Sequence, residues 1–153
     1  MKSGKRTTNA YGDLAAEDPS ITPFIKVFTV EAKRGSSYGH PADLLDTRPS
    51  KAVRPFEACL NQARNSAVDA GSLMWLLVAR RDYRIDMVYA PIELHKRLDN
   101  GKWLKRPPVT VFNMMVNQED KTTSRFHFFS MPMLYFFENM NPEEVATWAP
   151  NPR

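Results

Sequence analysis

The fold is best predicted from residues 55–79, PFEACLNQARNSAVDAGSLMWLLVA. In this stretch a helical pattern is followed directly by the pattern of a buried strand. Proline suits the first turn of a helix, and Gly71 stands where a C-terminal cap belongs. Apolar residues recur at helical spacing on one face: Phe56, Cys59, Leu60, Ala63, Ala67 and Ala70. The stretch therefore predicts a helix over Pro55–Ala70 and a buried strand over Leu73–Ala79.

The segment before this helix, Phe24–Lys33, predicts another strand, with apolar side chains on both faces. Between the two, Arg34–Arg54 contains two glycines, two prolines and many polar residues. We expect a long loop there, with a helical turn at Ala42–Leu45. The order strand, helix, strand predicts a right-handed parallel crossover in a sheet that helices cover.

Further elements are predicted on both sides of this unit. A short strand over Thr8–Ala16 precedes it, and strands over Arg84–Ala90 and Pro107–Val116 follow it. Residues 87–94 and 128–135 share a pattern of strand, proline and short helix, and Pro142–Trp148 predicts a final helical turn. We therefore predict one α/β domain over residues 1–153, with a central mixed β-sheet flanked by helices.

The charge distribution is compatible with a polyanionic partner. Residues 1–106 carry 18 Lys and Arg against 12 Asp and Glu, whereas residues 107–153 carry 3 against 5. Basic surface concentrated in one part of a chain is typical of nucleic-acid binding. A soluble protein that is merely basic is an equally open interpretation.

The cysteine count and the apolar runs restrict the class of protein. One cysteine, Cys59, excludes an intramolecular disulfide and a multi-cysteine zinc site. No apolar stretch approaches the ~20 residues of a membrane helix, and residues 1–6 lack the apolar core of a signal peptide. We expect a cytoplasmic protein without a membrane partner.

An acid, any residue and then a lysine occurs twice, at 31–33 and at 119–121. With 17 acids and 9 lysines in 153 residues, about one such match is expected by chance. Glu119 lies in the polar stretch 117–124, which is typical of a solvated turn. Glu31 instead ends an apolar strand, where Val27, Thr29, Glu31 and Lys33 are expected to share one face.

A second carboxylate, Asp13, precedes Glu31 by 18 positions. If the strands over 8–16 and 24–33 are antiparallel neighbours, the two carboxylates lie side by side. Together with the backbone carbonyl of Ala32 they would suit Mg²⁺, which prefers hard oxygen ligands. Such an ion can activate a water and neutralise charge on a cleaved phosphate. Lys33 would stabilise the developing negative charge or orient the attacking water.

On these residues the chain resembles the PD-(D/E)XK nuclease superfamily and, within it, phage-type Holliday-junction-resolvase-like proteins. The resemblance covers roughly residues 8–90, and it also includes a helix with Gln62 and the strand 75–81. It implies a restriction-endonuclease-like core, followed by a strand and short-helix extension over about 91–153. It also implies that the family's two acids are Asp13 and Glu31, its lysine is Lys33, and Gln62 is a supporting glutamine.

The resemblance implies a Mg²⁺- or Mn²⁺-dependent deoxyribonuclease that hydrolyses phosphodiester bonds, with branched DNA as the favoured substrate. Symmetric cutting of a junction needs two active sites, so a homodimer is expected, in the host cytoplasm if the chain is phage-encoded. One alternative is a restriction- or repair-type endonuclease of the same fold. Another is a catalytically silent DNA-binding module.

Other polar and aromatic residues are further candidates for binding. Phosphate contacts are predicted at Arg34, Lys51 and Arg54, ahead of the remaining basic residues Arg64, Arg80, Arg81 and Arg84. His40 is a weak candidate for a catalytic base. We expect structural positions for His95 and His127, inert packing for Cys59, and a core or subunit-interface role for the aromatic residues of 126–137.

Overall fold

The computed structural model describes residues 22–46, 48–99 and 108–148. Its strands are β1 Phe28–Arg34, β2 Met74–Arg80, β3 Met87–Pro91, β4 Thr110–Asn117 and β5 Thr123–Pro132. They form one five-stranded sheet in the order β1-β2-β3-β5-β4. β1 and β2 are parallel, whereas the other neighbouring strands are antiparallel. The predicted α/β class with a mixed sheet is confirmed.

The helices are α1 Thr22–Val27, α2 Asp43–Asp46, α3 Pro55–Ala70, α4 Ile92–Asp99, α5 Met133–Asn139 and α6 Pro142–Trp148. Helix α3 has the predicted bounds. It ends at Gly71, whose φ of 65° is the left-handed conformation that glycine adopts without strain. Within the described residues no helix is both long enough and apolar enough to cross a membrane.

Helix α3 packs on β1 and β2 and connects them as the predicted parallel crossover. Two apolar cores result, one on each face of the sheet. The α3-side core includes Phe56, Leu60, Leu77 and Phe128. The opposite core lies under α1, α4, α5 and α6 and includes Val27, Phe28, Leu94, Phe129 and Phe136.

The predicted strand over Phe24–Lys33 is wrong in its first part, because α1 occupies Thr22–Val27. Pro23 suits the first turn of this helix. Phe24 and Phe28 are four residues apart, and their ring centroids are 4.8 Å apart against the opposite core. Val27 therefore packs in the opposite core and does not share the face of Glu31, contrary to the prediction.

Several smaller predictions can be compared with the structure. The loop after β1 holds a helical turn at Asp43–Asp46, and α6 has its predicted bounds. Strand β3 begins at Met87 rather than at residue 84, because Arg84 closes a turn by donating its N–H to the carbonyl of Arg81. The predicted strand Thr8–Ala16 lies outside the described residues.

Glu57 ties the start of α3 to the end of β4, although its side chain is fully buried. Its Oε1 accepts hydrogen bonds from the Arg54 N–H (3.1 Å) and Nε (2.7 Å), and its Oε2 accepts one from the Asn117 N–H (2.7 Å). Burial alone would raise the pKa of Glu57, but these hydrogen bonds hold it below its ordinary value.

Replacement Glu57→Gln should destabilise the fold by about 3 kcal/mol at neutral pH, because it leaves Arg54 without its buried anion. Since the folded-state pKa is lowered, the carboxylate contributes stability above the ordinary pKa of 4.5, and this contribution is lost as the pH falls through the folded-state value. The deficit of the variant should therefore shrink on acidification. Urea unfolding at neutral and acidic pH measures both effects.

Glu138→Gln is the matched control, because Glu138 is exposed on α5. We expect it to change the free energy of unfolding by less than about 0.5 kcal/mol. Equal stability of the two variants would contradict the role of Glu57.

Candidate active site

Three of the predicted site residues meet where α3 crosses β1. Gln62 donates from Nε2 to Glu31 Oε2 at 3.0 Å. Its Oε1 accepts a hydrogen bond from Lys33 Nζ at 2.8 Å. The amide of Gln62 thus joins the carboxylate to the ammonium group, and we call Glu31, Gln62 and Lys33 the polar bridge.

Strand alternation and helix packing together assemble this bridge. Thr29, Glu31 and Lys33 project toward α3, in register with Trp75, Leu77 and Ala79 of the α3-side core. Gln62 follows Cys59 by three residues, which places it at the edge of the apolar face of α3.

The bridge runs from the protein interior to the solvent. Glu31 is 2% exposed, whereas Lys33 is partly exposed and Gln62 is exposed. A carboxylate is costly to bury unless polar partners compensate the loss of hydration. The cluster therefore couples a buried acid to a cation that a ligand in solution can reach.

A groove of about 410 Å³ opens beside the bridge. Its lining comes from α3, from the segment before it and from the turn between β4 and β5: Val53, Ala58, Asn61, Gln62, Asn65, Gln118, Glu119 and Asp120. The groove is large enough for a small-molecule-sized group. Gln62 thus faces both the buried acid and an open, amide-rich surface.

The donor atoms at the bridge are of the kind that holds a hard cation. The carboxylate of Glu31 and the backbone carbonyl of Ala32, the next residue, are oxygen ligands of the kind that suits Mg²⁺, whereas the amide oxygen of Gln62 already accepts from Lys33. Within the described ranges, no three His, Cys, Asp or Glu residues come together as a metal-binding group. Asp13, the second predicted carboxylate, lies outside those ranges. The described donors therefore correspond to one part of the predicted ligand set of such an ion.

Cations gather at the edge of the sheet where β1 and β2 end. The parallel register pairs Arg34 with Arg80 and Lys33 with Ala79, and Arg81 and Arg84 follow directly in the next turn. The sequence-based prediction placed Lys51 and Arg54 ahead of the arginines at 80, 81 and 84. The meeting of these basic residues could have been predicted, because a parallel crossover brings the carboxyl ends of both strands to one edge of the sheet.

The other predicted phosphate contacts differ in their surroundings. Lys51 is exposed in the loop before α3. The guanidinium of Arg54, in contrast, forms an ion pair with buried Glu57. Arg64 bonds Ser124 and lies over the ring of Phe126 at 4.3 Å. Arg54 and Arg64 therefore contribute to packing.

The competing acid-x-lysine match is an exposed turn, as predicted. Glu119 and Lys121 are exposed, and Lys121 has a left-handed φ of 65°. Asp120 accepts hydrogen bonds from the side chain and the N–H of Thr122, and these bonds lower its pKa. The hydrogen bonds described for Asp120 therefore stabilise the turn itself.

Cys59 lies in the core as predicted, whereas the three histidines differ in their surroundings. Cys59 is buried in the α3-side core, and burial raises the pKa of its thiol. The ring of His95 packs against Phe129 with centroids 5.3 Å apart, and His127 is exposed. His40 is partly buried, and its ring meets Phe112 edge-on.

Comparison of the chain with protein-family models, with curated proteins and with solved structures gives no match. The resemblance to PD-(D/E)XK nucleases therefore stays a prediction that rests on the residues themselves.

The Lys33–Gln62 contact can be tested by a double-mutant cycle. Gln62→Leu and Lys33→Met should each cost about 1 kcal/mol or less, because the hydrogen bond lies at the solvent boundary. Their combination should show a coupling energy of about 0.5 kcal/mol or more in urea unfolding. Asn65→Leu with Lys33→Met is the control pair, and its coupling should be near zero. Equal coupling in both pairs would exclude the bridge.

Proposed function

We propose that this chain is a metal-dependent DNA endonuclease that hydrolyses phosphodiester bonds. The observation that carries the proposal is the polar bridge, in which a buried acid and a reachable lysine are joined by one glutamine. A buried carboxylate and a cation that a ligand can reach, both hydrogen-bonded to one positioning side chain, match the roles of metal ligand and charge stabiliser in a hydrolytic site. The proposal includes a restriction-endonuclease-like core for the sheet.

Glu31 and the carbonyl of Ala32 would hold a divalent cation, with Asp13 as the second carboxylate. When bound, Mg²⁺ or Mn²⁺ supplies a water of lowered pKa and positive charge for the phosphate oxygens. Burial of Glu31 keeps its carboxylate in surroundings of low dielectric, where its attraction to a cation is stronger than in bulk water.

Lys33 would stabilise the negative charge that grows on the phosphate in the transition state. Its ammonium group lies at the boundary between the core and solvent, so a phosphate can approach it. Gln62 acts as a positioning residue. It holds both charged side chains, because its amide donates to the acid and accepts from the lysine. Fixed donors of this kind lower the barrier without reorganising during the reaction.

The basic edge of the sheet supports DNA as the substrate. Lys33, Arg34 and Arg80 lie at neighbouring positions on β1 and β2, with Lys51 exposed in the loop before α3. Lysine and arginine contacts to phosphates supply most of the affinity of non-specific DNA binding. Branched DNA and a homodimer come from the family resemblance and are proposed on that ground.

The acid-x-lysine pairs provide a test within one chain. Lys33→Ala should reduce single-turnover cleavage at saturating Mg²⁺ on the order of 10²-fold or more. Glu31→Gln keeps the size of the side chain and removes the charge that a hard cation requires. It should therefore lose metal affinity and turnover together, while thermal melting stays within a few degrees of wild type.

Glu119→Gln and Lys121→Ala are the matched controls, because they remove the same charges from an exposed turn. Both should cleave at the wild-type rate. An essential 119/121 pair with a dispensable 31/33 pair would refute the assignment of the active site. DNA affinity without cleavage in the wild-type chain would favour the silent binding module.

A further inference from the structure

A smaller cavity lies on the α3 side of the sheet, beyond the end of β2. It has a volume of about 120 Å³ and is lined by Tyr38, His40, Ala79, Arg81, Arg84, Ile85, Met87 and Tyr89. One water occupies roughly 30 Å³, so the space matches a group of several heavy atoms rather than a nucleotide. Ala79 pairs with Lys33 across β1 and β2, which places the cavity one strand from the polar bridge.

The charged residues of this cavity are cations. Arg81 and Arg84 come from the β2–β3 turn, and no carboxylate of the described part of the chain lies within ion-pair distance of either. The nearby acids have other partners, and Asp43 accepts a hydrogen bond from the His40 N–H at 3.0 Å. Asp82 accepts a hydrogen bond from Ser36, and Asp86 lies 4.0 Å from Arg80. Two guanidinium groups are thus available to an anion.

Neutral donors surround these cations. His40 Nδ1 accepts a hydrogen bond from the Ala42 N–H at 3.0 Å, so its Nε2 carries the proton and can donate. Burial, followed by Arg81, lowers the pKa of His40 and keeps it neutral. Burial raises the pKa of Tyr89 to about 12, which keeps its phenol protonated although Arg81 opposes the shift.

Tyr38 adds an unusual observation. It is 6% exposed, and its buried hydroxyl has no hydrogen-bond partner among the described residues. Buried polar groups of folded proteins nearly always have a partner, so an orphaned hydroxyl beside a cavity requires an explanation. A ligand oxygen in the cavity would accept this hydrogen bond.

The walls of the cavity are tied together. The Gly35 N–H donates to the Arg80 carbonyl at 2.9 Å. Ser36 Oγ donates to Asp82 at 3.1 Å and accepts from its N–H at 3.3 Å. The loop after β1 and the β2–β3 turn are therefore held at a fixed distance, and the donors are arranged before a ligand arrives.

The tip of the same turn carries Tyr83, which is fully exposed and has a left-handed φ of 58°. Such a backbone conformation is strained for an aromatic residue and is found more often at functional sites than elsewhere. An exposed aromatic ring next to cations is a platform on which a base can stack.

We infer that this cavity binds a phosphate group, through Arg81, Arg84, His40 and the hydroxyl of Tyr38. The ligand is a phosphate monoester or free phosphate. The several acceptor oxygens of either one match the donors that converge on this cavity. A terminal phosphate of a nucleic acid is the source that Tyr83 favours. The choice of a nucleic-acid phosphate rests on the proposed function, whereas the binding of a phosphate group does not.

The experiment uses the full chain in phosphate-free buffer with excess chelator, so cleavage plays no part. One arm measures thermal stabilisation by inorganic phosphate against chloride at equal ionic strength. The other compares binding of a short single-stranded oligonucleotide bearing a 5′-phosphate with the same oligonucleotide bearing a 5′-hydroxyl. Tyr38→Phe removes the orphan hydroxyl and keeps the ring that packs on Phe56. Arg81→Gln removes one cation, and Arg125→Gln is the control on the opposite face.

We expect inorganic phosphate to stabilise the chain and the 5′-phosphate to increase oligonucleotide affinity about tenfold. Arg81→Gln should abolish both effects, Tyr38→Phe should weaken both, and Arg125→Gln should change neither. Stabilisation by inorganic phosphate without a gain from the 5′-phosphate would identify free phosphate as the ligand. The inference is overturned if neither probe has an effect, or if Arg81→Gln leaves both effects intact.

Discussion

The packing of α3 across the parallel pair β1 and β2 is the constraint on which the candidate site depends. Parallel neighbours need a crossover, and here the crossover is α3 itself. Its two ends are fixed separately. Glu57 ties the first turn to Asn117, and Ser72, just after the last turn, shares a 2.7 Å hydrogen bond with Thr29 of β1. Gln62 lies between these two anchors, so its position above Glu31 is a consequence of the fold.

Among the described residues, two glutamates are buried on the same side of the sheet, and their surroundings differ. Glu57 is enclosed by an arginine and two backbone N–H groups, which is the environment of a structural anion. Glu31 instead bonds an exposed glutamine that borders a groove and also binds a lysine. Glu31 thus lies next to side chains that a ligand can reach, whereas the contacts of Glu57 join elements of the fold. This contrast favours Glu31 over Glu57 as the acid of the proposed site.

Features with a local cause could be predicted from the sequence. The periodicity of 55–70 and the glycine at 71 defined α3, and strand alternation placed Glu31 and Lys33 on one face. Features set by tertiary packing could not. Phe24 lies in a helix because its ring meets Phe28 and the opposite core, which no strand propensity describes. Glu57 carried a partial signal, because an acid at the third helical position often caps a helix, but its contact with Asn117 spans 60 residues.

The basic edge of the sheet could be predicted from the sequence only in part. The parallel crossover was predictable, and with it the meeting of Arg34 and Arg80, yet ranking arginines by distance along the chain favoured Arg54, which the fold uses to neutralise Glu57. To predict which basic residues lie together, the register of the strands is more informative than closeness to a loop in the sequence. The cavity at Tyr38 was likewise beyond sequence reasoning, because its lining comes from a loop, a turn and two strands.

The proposed centre at Glu31, which would cut DNA with the help of a divalent cation, can be tested by incubating the full chain with a four-way junction and with linear duplex. Each DNA is incubated in Mg²⁺ and in excess chelator. We expect cleavage in Mg²⁺, with the junction cut in preference, and no cleavage in chelator while a gel shift persists. Undiminished cleavage in chelator, or no cleavage of either DNA in Mg²⁺ or Mn²⁺, would contradict the proposed centre.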